Sequence, residues 1–503
     1  MEKIGIIDLG SNSARLVIMK MLGDGHFIVI DQIKESVRLG KDMERDGFLK
    51  PQRIAETLKT LKMFRKLCDA YGIERIIAVA TAAVRRAKNQ RSFLEEISTT
   101  CGIKLKVLSA EEEAMYVYRG IINTMDVPKG LIMEVSGGST KVIYYNRRNL
   151  LNFATLPFGA ITLTELFADV ADQEEQAKKT EEFFLQQFQG IDWLKDIDPE
   201  TQLILVGGSF RSLGRLSKLL RKSPYPIVHN YHIPTEEFVG IYDKLKAMEL
   251  DKKKRIRGVS SARADILPSA LAAVKAMTGY CNFNEMIISG CGLREGIMFN
   301  YAMPITFEKP IPDVLGYSLM TLVKYYNCNE KHVEQVLGIS VQLFKQLRVL
   351  HKFPRQYLRI LKVAAMLHDA GSAIRYYDYQ KHSSYIALNS AIYGIPQREI
   401  VMAALVIAIY KNDDFSINEF NRYREFIEEQ DVDVIRKLGI MLRIAESLDR
   451  SMSGCVTGIV CDVLGDSVIM KTEIVSDADL EIKEAKTAAQ DFKRIFKKNL
   501  DIL

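Results

Sequence analysis

One hairpin pattern occurs twice in this chain, and the repeat limits what the chain can fold into. Gly5 to Ile7 is an apolar run that ends in Asp8. Gly10-Ser11-Asn12-Ser13 then make a turn of small residues, and Ala14 to Met21 returns as a second strand. Ile132 to Tyr144 repeats this without a gap at a constant offset of 126 residues. Asp8 falls on Glu134, Gly10-Ser11-Asn12-Ser13 on Ser136-Gly137-Gly138-Ser139, and Arg15 on Lys141. Two copies, each opening a domain-sized segment, predict a duplicated α/β unit. A small-residue turn offers backbone N–H groups and hydroxyls to an anion. A carboxylate beside it suits a divalent cation or its waters. Two such turns facing across a cleft would grip a chain of phosphates from both sides.

At 503 residues the chain is too long for one core. No apolar run approaches membrane-spanning length, so no membrane association is expected. The seven cysteines are scattered without a C-x-x-C pair, and the sequence opens directly on a strand. A reducing, cytoplasmic setting is therefore expected, without zinc ribbons or a disulfide framework. The net charge of +6 fits a polyanionic ligand without demanding one.

In chain order, residues near 4 to 36 read as three strands. A helix follows from Pro51 to about Tyr71, then a buried strand over Arg75–Ala80 and a loop at Thr81 to Arg85. A helix near Asn89 to Cys101 and a strand at Lys104 to Leu108 lead to Ser109-Ala110-Glu111-Glu112-Glu113, a capping pattern that opens another helix. The order β-β-β-α-β-α-β-α is that of a ribonuclease-H-like unit. The second unit repeats the three strands from Gly130, and its later strands are Gln202 to Val206 and Glu285 to Ser289. Pro304, Pro310 and Pro312 mark a linker. Beyond it the pattern is helical to about Gly454, with a strand-like tail over Thr457 to Ile474 and a final basic helix.

These motifs together resemble the exopolyphosphatase and guanosine pentaphosphate phosphohydrolase (Ppx/GppA) family. The resemblance rests on Ile7 to Ser13, Ser109 to Ala114, Gly137-Gly138-Ser139-Thr140 and Leu293-Arg294-Glu295-Gly296, in order and spacing. It implies an α/β fold of duplicated ribonuclease-H-like (actin-like ATPase) domains, residues 1–125 and 126–303, followed by an α-helical HD-like domain, 304–503. It implies a hydrolase of phosphoric anhydrides that uses Mg²⁺ and takes inorganic polyphosphate or guanosine pentaphosphate. Sequence-specific nucleic acid is not an expected partner, and a homodimer is. Glu113 is the implied general base, with Glu111 and Glu112 as competitors, and Arg85 the implied phosphate contact. Asp8 and Glu134 are the implied Mg²⁺ residues. Gly10, Ser11, Asn12, Ser13, Gly137, Gly138, Ser139 and Thr140 would cradle phosphates. Gly207-Gly208-Ser209 falls where nucleotides bind in this superfold, either touching a nucleotide or only packing. Arg263 and Asp265 are read as an ion pair or a cleft contact, with the structural role preferred.

The second turn departs from the family pattern. The family usually has Asp, Gly and Glu where this chain has Glu134, Ser136 and Lys141. The last change replaces an acid associated with the metal by a cation. At an effective dielectric near 20, each unit charge at ~4 Å is worth about 4 kcal/mol. Two responses are open. Lys141 itself binds phosphate while Asp8 and Glu134 keep one Mg²⁺, or catalysis is weakened and the cleft senses a ligand. A small-molecule kinase of the same superfold is a third class, but no acceptor-binding base stands out.

In the helical region, His368-Asp369, His382 and Asp449 look like parts of an HD-type metal site, with His351 as a first ligand. No further histidine follows Leu405-Val406, so the set reads as incomplete and the region as a scaffold.

Overall fold

The computed structural model describes residues 1–44, 46–304, 309–412 and 421–503. The chain forms two compact units, Met1–Pro312 and Asp313–Leu503.

The first unit is built on two mixed sheets. In the first, β1 (Lys3–Leu9), β2 (Ala14–Gly23), β3 (His26–Glu35), β4 (Arg75–Ala80) and β5 (Leu105–Val107) lie in the order β3-β2-β1-β4-β5. The second holds β6 (Lys129–Val135), β7 (Thr140–Asn146), β8 (Asn149–Leu156), β9 (Gln202–Val206), β10 (Tyr231–Pro234) and β11 (Glu285–Ser289), in the order β10-β11-β9-β6-β7-β8. The predicted repeat is present at the level of register. Asp8 is paired across the ladder with Arg15, and Glu134 with Lys141. The short edge strand β10 has no counterpart in the sequence reading. Its four residues are too few to show an alternation.

The apolar runs of β1 and β6 follow from burial on both faces. On one face of the first sheet, Ile7, Leu16 and Ala78 pack with Leu61 and Phe64 of α1 (Pro51–Ala70). The short helix α2 (Ala82–Arg86) occupies the stretch read as a loop, and α3 (Gln90–Cys101) follows it. The corresponding face of the second sheet is covered by two helices, Gln173–Gln189 and Leu267–Cys281, through residues such as Phe184, Phe188 and Val274.

The remaining two faces are covered by exchange. The helix α4 (Ala110–Ile122), from the first half of the unit, places Val117 and Ile121 on Ile132, Ile143 and Ile204 of the second sheet. The helix Leu293–Ala302, from the end of the unit, places Ile297 and Met298 on Ile4, Ile6 and Val17 of the first. These two helices also approach backbone to backbone. A Cβ on Gly296 would stand 1.9 Å from the Tyr116 carbonyl oxygen, and one on Gly120 2.1 Å from that of Gly292.

The second unit is helical, as the sequence predicts, and carries a three-stranded sheet. Strands β12 (Val456–Val463) and β13 (Ser467–Ile474) are antiparallel, and β14 (Asn499–Ile502) joins β13 in parallel. The chain therefore ends in a strand, after the expected basic helix (Ala489–Phe496). Among the described residues no helix is long and apolar enough to cross a membrane.

Because the clash at Gly296 is with backbone, it cannot be relieved by a side-chain rotation. Gly296→Ala is expected to lower the unfolding free energy by about 1–3 kcal/mol, read as a lower midpoint in urea denaturation.

Candidate functional site

The two repeated turns face each other in the first unit. Each is closed by the same hydrogen bond: Gly10 N–H donates to Ser13 O at 3.1 Å, and Ser136 N–H to Ser139 O at 3.0 Å. Ser11 stands against the second turn. A Cβ on Gly137 would come within 3.0 Å of the Ser11 Cβ, and one on Gly138 within 3.0 Å of its Oγ. Glycine at 137 and 138 is what allows this approach. Between the turns lies a cavity of about 100 Å³, lined by Asp8, Gly10 to Ser13, Glu113, Glu134 and Ser136-Gly137. The buried Asn12 side-chain Nδ2 has no hydrogen-bond partner within the protein. A buried amide left this way is poised to donate to a ligand. Ser139 and Thr140 stay behind the cavity wall, and the Thr140 hydroxyl donates to Phe158 O at 2.8 Å.

Of the three acids that begin α4, only Glu113 turns inward. Glu112 completes a capping box with Ser109: its N–H donates to Ser109 Oγ at 3.0 Å, and its carboxylate accepts from Ser109 N–H at 2.9 Å. Glu111 is exposed, and Glu113 is 3% exposed. Arg85, expected on a phosphate, instead donates to Glu113 Oε2 at 3.0 Å and to Leu108 O at 2.8 Å.

Lys141, also read as a phosphate ligand, does not line the cavity. Its Nζ lies 2.7 Å from Glu113 Oε1 and 2.7 Å from Glu134 Oε2, and it donates to Ser139 Oγ at 3.4 Å. Burial works against its charge, but the Glu113 and Glu134 carboxylates outweigh it and hold the ammonium above the usual lysine range. Burial also raises the Glu134 carboxyl, against the pull of Lys141. The neighbouring Glu113 and Asp8 carboxylates add to the effect of burial on Glu134. Asp8 is raised as well, by burial first, with Arg15 and Arg294 pulling the other way.

The cavity wall also carries Arg15, Arg211, Arg263 and Arg294. Burial and mutual repulsion pull Arg15 and Arg211 below the usual arginine range, and they stay charged at neutral pH. The Arg263–Asp265 reading is corrected here. Asp265 pairs with Arg38 at 2.8 Å, whereas Arg263 faces the cleft across Gly208, where a Cβ would stand 2.5 Å from its Cζ. Gly207 and Gly208 both line the cavity. Arg15, Arg211, Arg263 and Arg294 also line an adjoining cavity of about 480 Å³, with Lys34 and Arg215. Of these, Arg15 and Arg294 stood in motifs visible in the sequence without a role assigned, and Arg263 stood in a segment read as an ion pair or a cleft contact.

The histidine set in the second unit also differs from expectation. His351 is fully engaged: its Nε2 donates to Phe344 O at 2.7 Å and its Nδ1 accepts from Phe353 N–H at 2.9 Å. It is a structural residue rather than a first ligand. The histidine beside Asp449 is His332, with Nδ1 2.7 Å from Asp449 Oδ2 and its ring 5.3 Å from that of His368. His368 donates from Nδ1 to Ala365 O at 2.8 Å. Burial raises the Asp369 carboxyl, and His382 is half-buried in the helix Tyr379–Asn389. Among the described residues, no group of three or more His, Cys, Asp or Glu is placed to hold a metal ion.

Residues 17–303 match the model of the Ppx/GppA phosphatase family. The chain belongs to that family. Residues 316–484, within the helical unit, match the family's domain III. A guanosine-5'-triphosphate,3'-diphosphate pyrophosphatase of Aeromonas hydrophila is 24% identical over 450 residues, covering 87% of this chain and 86% of the relative. One from Aliivibrio fischeri is 25% identical over 394 residues, covering 76% and 74%. The crystal structure of the Aquifex aeolicus Ppx/GppA family member superposes with a TM-score of 0.51 at 28% identity, over 60% of this chain and 98% of that one. An exopolyphosphatase from Cytophaga hutchinsonii shares the fold, with a TM-score of 0.56 at 24% identity over 60% of this chain and 98% of its own.

Lys34 lines the larger cavity with its side chain still exposed, and the partial loss of water there, then the cations Arg263 and Arg15, pull its ammonium down to about 8. A bound polyanion favours the charged form, so binding takes up a proton near that pH. Tripolyphosphate affinity should therefore weaken as pH rises through about 8. The Lys34→Met variant should lose that part of the dependence, and titration calorimetry in buffers of different ionisation enthalpy checks it.

Proposed function

We propose that this protein hydrolyses phosphoric anhydrides. The reading takes it as an exopolyphosphatase that releases terminal orthophosphate from inorganic polyphosphate, with guanosine pentaphosphate as a sister substrate. The observation that carries this is the pair of opposed turns, with a buried carboxylate, Glu113, at the same cavity. The similarity to guanosine-5'-triphosphate,3'-diphosphate pyrophosphatases and the family membership support the reaction class.

Phosphoryl transfer to water needs an in-line water, a base and neutralisation of charge on the phosphate oxygens. The Gly10 to Ser13 turn and Asn12 Nδ2 would hold the terminal phosphate. Arg15, Arg211, Arg263 and Arg294 would hold the rest of the chain. Glu113 keeps lone pairs beyond those used by Arg85 and Lys141, since an ionised carboxylate offers about four acceptor positions. It can therefore orient a water and take its proton.

The donor set divides in its fit to Mg²⁺. Asp8 lines the cavity and its burial makes a cation there favourable, whereas Glu134 is engaged by Lys141. In this proposal Asp8 would hold Mg²⁺, and the ion would supply positive charge to the phosphate oxygens. The second reading is a slow or non-catalytic sensor of polyphosphate or an alarmone. It is favoured by one observation, the two cations already bonded to Glu113. The helical unit would serve either reading as a scaffold.

Orthophosphate release from long-chain polyphosphate and from guanosine pentaphosphate, with and without Mg²⁺, tests the proposal. Release from neither would leave the sensor. Glu113→Gln is expected to keep the fold and polyphosphate binding while lowering kcat by about 10²- to 10⁴-fold. An unchanged kcat would remove Glu113 as the base.

A further inference from the structure

We propose that the Lys141 ammonium is the resident cation of this cleft, filling the position between the Glu113 and Glu134 carboxylates so that the protein itself takes up no divalent ion there. This rests on the reading of the cleft as a phosphate site but not on turnover.

Three observations carry it. First, the coordination is complete. Glu113, Glu134 and Ser139 offer the three N–H groups of the ammonium an acceptor each, at 2.7, 2.7 and 3.4 Å. The side chain is wholly buried, so no water takes part from outside. Second, the local charge already balances. Glu113 and Glu134 carry two negative charges, and Lys141 and Arg85, both within 3.0 Å of them, carry two positive ones. A divalent ion between the carboxylates would add two charges to a neutral set and face a buried ammonium. Third, the cation is fixed by the fold. Lys141 is the ladder partner of Glu134 in β7, as Arg15 is of Asp8 in β2. The two halves therefore differ in use. Arg15 lines the cavity and can meet a ligand, while Lys141 sits behind it and meets the protein's own Glu113, Glu134 and Ser139.

The consequence is a cleft with a permanent, non-exchangeable cation beside its base. A divalent ion then reaches this position only as part of a substrate complex.

The test uses the full-length protein without substrate and reads Mn²⁺ uptake by the loss of the free-ion electron paramagnetic resonance signal. Wild type is expected to show no uptake sensitive to Glu134→Gln. An ion whose binding ignores Glu134→Gln lies elsewhere and agrees with the proposal. Lys141→Glu restores an acid at this position and should gain a Mn²⁺ site, tightening uptake by about tenfold or more. Lys141→Gln, which removes only the charge, should gain a weaker one. Thermal melts establish that each variant is folded. If neither is, the wild-type arm decides alone. Stoichiometric Mn²⁺ uptake by wild type that Glu134→Gln abolishes would overturn the proposal, as would a folded Lys141→Glu that gains nothing. Because no substrate is present, failure here is separate from failure of the hydrolase reading, which phosphate release decides.

Discussion

The close crossing of α4 with the helix Leu293–Ala302 is the constraint on which the first unit depends. Each helix comes from one half of the unit and covers the sheet of the other. They can do so only because Gly120 and Gly296 let the two backbones meet without intervening side chains. The crossing also sets the site. Glu113 lies in the first turn of one helix and Arg294 and Glu295 in the first turn of the other, and all three line the cavity between the turns. Packing and chemistry therefore share one device, and a shift of one helix on the other would move an acid relative to an arginine.

Around that crossing, charge is organised by sheet register. Each repeated hairpin sets an acid opposite a cation, Asp8 with Arg15 and Glu134 with Lys141. In a water-poor setting such groups are tolerated only when paired. The pairing is asymmetric in effect. The first hairpin leaves its arginine facing the cavity, beside Arg211, Arg263 and Arg294. The second spends its lysine on Glu113 and Glu134. One side of the cleft is thus rich in cations for a ligand, and the other is neutralised from within.

How much of this was legible in the sequence follows from how local each feature is. The two turns were readable because their small residues and flanking strands recur at one spacing, and the structure places them face to face. Glu113 was singled out only through the family resemblance; the structure supplies the local reason, a capping box that commits Glu112 to Ser109 and leaves the next acid one step around the helix. The arginine wall was not readable. Arg211, Arg263 and Arg294 come from segments that meet only once the sheets and helices have assembled, so even where a segment was marked, as at Arg294 and Arg263, its convergence on one wall was not. The histidines failed for a related reason. His351 and His332 are both buried, and only the tertiary partner, Phe344 and Phe353 in one case and Asp449 in the other, tells them apart.

The exchange of covering helices also bears on synthesis of the chain. When the first sheet has emerged from the ribosome, the face formed by Ile4, Ile6 and Val17 has no cover, because Ile297 and Met298 are almost the last residues of the unit to be made. The α4 helix, already made, waits equally for the strands that will bury Val117 and Ile121. Each half of the nascent unit therefore shows an apolar surface until the other is complete. The two halves cannot mature one after the other as separate domains, and the cleft between the turns comes into existence only in the step that closes both cores.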